Sequence, residues 1–172
     1  MKKIENELKQ NFSTIIGNLL LIGNYSNTLE KIISNNKNIT FCDQLTKNNN
    51  YTTGTKGKNK KINIKNIKKH YKKNKINNTV VNFSDVVEYK NTFVRDSIYI
   101  TKNEIIIIDK ENNDLIYKMY KRYCSNIEII NCLDGRIFKV NTNNYKNNKI
   151  KNIFYYLFDI LNDILDIISN LL

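Results

Sequence analysis

The hydrophobic positions of this chain fall into two rhythms that take turns along its length. Ile4, Leu8 and Phe12 recur every fourth residue and predict a short amphipathic helix over residues 1–16. An unbroken apolar run of strand length, NLLLIG, follows and stops at Gly23. SNTLEKIISN restores the helical rhythm, with Leu29, Ile32 and Ile33 on one face and Ser26 or Asn27 as N-cap. NITFCD predicts a strand ending at Asp43, and NTVVNFSD (78–85) predicts another. A helix is expected around residues 86–100, and EIIIID (104–109) is the clearest buried strand. NDLIYKMYKRYC (113–124) reads as a helix with Leu115, Met119 and Tyr123 on one face, capped by Asn113 or Asp114. NIEIINCL and RIFKVNT then flank Asp134-Gly135, the strongest hairpin signal in the sequence.

Strands apolar on both faces, separated by helices, predict a mostly parallel sheet covered on both sides, closed by an antiparallel hairpin. This α/β domain is expected over residues 1–149. Residues 150–172 predict an added C-terminal amphipathic helix, whose Asp159, Asp163 and Asp166 share one stripe. Three aspartates are too costly in a bilayer, and a helix lying on a membrane surface carries Lys or Arg instead. The helix is therefore expected to pack on the domain or on a protein partner, including a second copy of the chain. No heptad persists along the chain as a whole.

Composition changes this picture mainly through charge. The chain holds 32 Asn, 28 Ile and 25 Lys but only 3 Arg and no Ala, Pro or Trp, a skew that an AT-rich genome produces without selection for function. The net charge of +12 is concentrated: residues 44–78 hold 11 lysines and no acid, while the remainder has 17 basic and 16 acidic residues. Genome bias alone does not concentrate charge in this way. Within this basic insert Ile67 and Tyr71 are spaced as one stripe of a short helix, and Lys65, Lys68, Lys69, Lys72 and Lys73 cover most of the rest. Such lysines neutralise backbone phosphates, so nucleic acid, RNA before DNA, is the expected partner. Tyr51, His70 and Tyr71 are available for base stacking. The competing explanation is a solvated helix face in a lysine-rich proteome; anionic lipid is weaker, because few large apolar side chains accompany the charge.

Other chemistry is sparse. Cys42, Cys124 and Cys132 are odd in number, widely spaced and set in or beside apolar runs, which suits core positions in a reducing, cytoplasmic setting. The charged N-terminus MKKIENELKQ lacks the apolar core of a secretory signal. No metal-ligand spacing and no phosphate-binding GxxxxGK[ST] loop occurs, and no catalytic residue is assigned. The lone His70 reads as a surface residue, and Arg95 with Asp96 as a solvated pair.

Three stretches resemble the class I S-adenosylmethionine-dependent methyltransferases. LLLIGNYSNTLEKI stands where that family has its first strand and glycine-rich turn; NITFCD places Asp43 20 residues after Gly23; FVRDSIYITKNEIIII is similar to its helix, short turn and fifth strand. The resemblance implies a Rossmann-like doubly wound fold with a terminal antiparallel strand. It implies S-adenosylmethionine near Gly23 and Asn24, with Asp43 on its ribose and Asp85 at a neighbouring strand end. The basic insert is then expected beside the cofactor edge. The chain departs from the family pattern at Leu21, Tyr25 and Asn27, which replace an acid and two glycines. Two functions follow as expectations: a methyltransferase acting on RNA, or a catalytically inactive relative serving as a nucleic-acid-binding or scaffold subunit.

Overall fold

The computed structural model describes residues 1–45, 67–86, 90–144 and 149–169. Its elements follow the sequence rhythms closely: α1 (Ile4–Thr14), β1 (Gly17–Ile22), α2 (Asn27–Asn35), β2 (Ile39–Leu45), α3 (Ile67–His70), β3 (Ile76–Asn82), α4 (Lys90–Ile100), β4 (Thr101–Asp109), α5 (Asp114–Lys121), β5 (Ile127–Cys132), β6 (Gly135–Asn141) and α6 (Lys149–Ser169). The strands form one open sheet in the order β2-β1-β3-β4-β6-β5. Neighbours from β2 to β4 are parallel, whereas β6 is antiparallel to both β4 and β5. The fold is thus Rossmann-like α/β, with the Asp134-Gly135 hairpin inserting β6 between β4 and β5.

Alternation along the strands explains the two layers. Leu20 and Ile22 of β1 and Ile105 and Ile107 of β4 pack with Phe93, Ile98, Met119 and Tyr120 beneath α4 and α5. Leu19, Leu21, Ile106 and Ile108 point the other way, onto Leu8, Phe12, Leu29 and Ile33 of α1 and α2. A strand buried on both faces needs apolar residues at every position, which is why these segments read as continuous runs. Ser26 caps α2 through its side chain and Asn113 caps α5. All three cysteines are buried.

Several local expectations are corrected. β2 runs on to Leu45, so Asp43 lies inside the strand, paired with Leu20, rather than at its end. The third predicted strand stops at Asn82, and Phe83–Asp85 turns into a 3-10 helix. On the predicted face of α5, Met119 and Tyr123 are buried as expected but Leu115 is half exposed, and Ile116 and Tyr120 are buried in addition. α6 packs against α4, with Tyr155 against Tyr123 and Phe158 beneath the Arg122 guanidinium at the end of α5. No helix among the described residues is long and apolar enough to cross a membrane.

Candidate functional sites at the two ends of the sheet

A parallel sheet has chemically distinct ends, and the predicted residues divide between them. At the carboxyl end, β1 leaves the sheet through Gly23, whose φ of +106° is a region that side chains with a Cβ rarely adopt. A Cβ there would also come within 2.6 Å of Asp85 Oδ2 and 2.7 Å of the Asn82 Cβ. Gly23 donates its N–H to the Leu45 carbonyl at 2.6 Å, tying the turn to the end of β2. The Asn24 N–H donates to Asp85 Oδ2 at 3.0 Å, and Asn82 Nδ2 donates to the same oxygen at 2.8 Å. The fold therefore brings Gly23, Asn24 and Asp85 together, but with Asp85 bonded to the Asn24 N–H and packed against Gly23.

Tyr25 completes this closure. Its hydroxyl lies 3.0 Å from the Ile22 carbonyl and 2.9 Å from the Val80 carbonyl, and its ring meets Phe12 edge-on. Burial pushes its phenol well above its ordinary pKa, with the nearby Asp85 charge adding to the shift. Asp43 contributes only its backbone position to the described structure. Further along the same end, Asp109 accepts from the Glu111 and Asn113 N–H groups and from Arg136 Nη2 at 3.1 Å, while Arg136 Nη1 reaches Asp114 at 2.8 Å. This network shapes the turn into α5. The Arg136 hydrogen bond holds the exposed Asp114 carboxyl below its usual range.

The basic insert arrives at the opposite, amino end. Its crossover begins after Leu45 and re-enters the sheet at Ile76, so its last turns lie where β3 and β4 start: the Asn74 N–H donates to the Tyr99 carbonyl at 3.1 Å. Lys68, Lys69, Lys72, Lys73 and Lys75 thus lie at the amino end and not beside the cofactor edge as expected; the other lysines of the insert, Lys65 among them, fall outside the described residues. Ile67 and Tyr71 are buried, as the spacing predicts, and hold α3 against the core. That burial removes Tyr71 from any stacking role, while His70 is exposed. Tyr51 also lies outside the described residues.

Lys68, Lys69 and Lys73 open onto a groove of about 880 Å³. Its other walls are Arg95, Asp96, Ile98 and Tyr99 of α4, together with Asn74, Lys102, Thr142, Asn143 and Ile153. Tyr99 presents 44% of its surface. Five cationic side chains thus face a concave surface that includes one acid.

Asp96 is that acid, and it is not the solvated group expected: it is 2% exposed. Arg95 Nε and Nη2 both donate to its Oδ1 at 3.1 Å, and Lys68 Nζ stands 3.7 Å away. Burial raises the Asp96 carboxyl above its usual pKa, and the Arg95 and Lys68 charges only partly offset this. Sequence reasoning missed this residue because no local window reports that α3 covers α4. Among the described residues no His, Cys, Asp and Glu set is arranged to hold a metal ion. No protein-family model matches the chain, and no curated protein is similar to it in sequence.

Proposed function

We propose that this chain is a methyltransferase-like α/β domain serving as a nucleic-acid-binding subunit, with single-stranded RNA lying along the amino-end groove. The observation that carries the reading is the convergence of lysines from an acid-free segment with cations from elsewhere in the chain. Lys68, Lys69 and Lys73 meet Arg95 and Lys102 on one concave surface. Lysine–phosphate contacts supply affinity without sequence preference, through release of counterions. The exposed ring of Tyr99 offers a stacking face, which favours an unpaired base over a duplex. Asn74 and Asn143 add side-chain amides suited to a 2′-hydroxyl.

The carboxyl end weighs in the same direction. A nucleotide-like cofactor at the Gly23 turn would need the backbone donors and space that Asp85 already takes. Losing a cofactor while keeping the sheet is compatible with a fold that serves many functions. The second reading, an S-adenosylmethionine-dependent methyltransferase acting on RNA, is favoured by the hairpin-inserted strand and by the positive-φ glycine after β1. In that reading Gly23, Asn24, Asp43 and Asp85 hold the cofactor, which supplies the methyl group.

A salt series of single-stranded RNA binding tests the proposal. Replacing Lys68, Lys69, Lys72 and Lys73 by Ala is expected to weaken binding uniformly across sequences and to flatten its salt dependence. Unchanged affinity and slope would sink it. Calorimetric titration with S-adenosylmethionine separates the readings: heat that disappears on Asp85→Ala supports the enzyme, and no heat at millimolar-range cofactor favours the binding subunit.

A further inference from the structure

α6 carries two faces. One is seated on the domain, where Asp163 is 3% exposed and Tyr155 packs beside the core. The other is bare: Phe154, Leu157, Leu161, Ile164 and Ile168 are between 48% and 69% exposed. Their spacing, three and four residues in turn, is the a/d seam of a heptad repeat confined to this helix. Ile153, Phe158 and Leu165 widen it, so eight large apolar residues of α6 face outward among the described residues.

We propose that this seam pairs antiparallel with the same seam of a second copy of the chain. Three observations select that occupant. First, the eight residues expose on the order of 900 Å², which matches the roughly 800 Å² per partner of a standard specific interface and exceeds the patch of a typical monomer. Second, the acids at 159, 163 and 166 fall by their spacing on the face opposite the seam, where Asp163 is seated on the domain, so a partner laid on the seam meets no carboxylate of that stripe. Antiparallel pairing opposes the dipoles of the two helices, whereas parallel pairing aligns them. Third, α6 has no Lys or Arg after Lys151, whereas a helix lying on anionic lipid lines its polar flanks with them. A two-fold pairing needs no other surface, because the seam is self-complementary. The proposal does not rest on the RNA reading: of the eight residues only Ile153 also lines the amino-end groove.

Sedimentation of the full chain over a concentration series is expected to reach twice the 20.3 kDa chain mass. Leu161→Glu is expected to weaken self-association by roughly 30-fold or more, the scale of a hot-spot residue. Because Leu161 is exposed, circular dichroism should report an unchanged fold in that variant. An Ile168→Cys chain should resist disulfide-linked dimer formation on oxidation, since antiparallel helices keep the two thiols apart and the native thiols are buried. A mass fixed at 20.3 kDa, or one unmoved by Leu161→Glu, would overturn the pairing. Monomers that bind lipid vesicles through α6 would do the same. Ready crosslinking of Ile168→Cys would overturn the antiparallel arrangement.

Discussion

Gly23 and Asp96 illustrate how much one residue can depend on its neighbours. At Gly23, backbone conformation and space act together, because the positive φ coincides with the approach of Asp85. Gly23→Ala is therefore expected to cost about 1–3 kcal/mol, measured by chemical denaturation. Asp96 behaves differently, since its carboxyl is raised by burial. In the unfolded chain it ionises at a lower pH than in the fold, so its protonated form contributes stability below the unfolded carboxylate pKa. That contribution is lost as pH rises through the raised folded value. Thermal melts across the acidic range should show this slope in the wild type and not in Asp96→Asn. Protonation also removes the groove's acid, so RNA affinity should gain an increment on acidification that the same substitution abolishes. A variant that keeps the wild-type pH profile in both measurements would show that Asp96 is not the titrating group.

At the scale of elements, the first turn of α4 is held by a neighbouring helix. Asp163 of α6 accepts from the Asn91 and Thr92 N–H groups, and also from the Asn91 amide and the Thr92 hydroxyl. A carboxylate from another helix thus does the work of an N-cap, favoured by the positive end of the helix dipole. Asp163→Ala should destabilise the protein by about 1–2 kcal/mol, and Asp163→Asn by less, since an amide oxygen can still accept. Equal losses in the two variants, read from denaturant midpoints, would argue against a capping role. The acidic stripe of α6 was legible in the sequence as a stripe. The role of Asp163 within it was not, because the partner N–H groups lie about seventy residues earlier in the chain.

For the whole molecule, the segregation of charge matters more than its sum. A net +12 spread evenly would raise solubility and little else, whereas Lys68, Lys69 and Lys73 meeting Arg95 and Lys102 on one groove give that surface a persistent positive potential. If each of Lys68, Lys69, Lys72 and Lys73 contacts one phosphate, their joint replacement should lower the salt slope of single-strand binding by about 3. A fall near zero in filter-binding or fluorescence titrations would mean that these lysines are bystanders. The sheet separates this surface from the Gly23 turn, one lying at each end of the parallel strands. Substitutions at the two ends are accordingly expected to act independently on binding and on stability.

What the residues determine locally is the alternation of strands and helices, the caps at Ser26 and Asn113, the Asp134-Gly135 hairpin and the burial of Ile67 and Tyr71. Each follows from periodicity or turn chemistry within a few residues, so a short window of sequence contains the physics. Tertiary structure alone decides three other things: which end of the sheet receives Lys68, Lys69 and Lys73, the burial of Asp96 beneath α3, and the closure of the Gly23 turn by Asp85. These arise from strand order and long-range packing. A charged group's energy is set by what surrounds it, and Asp96 and Asp85 acquire their surroundings only when distant segments meet.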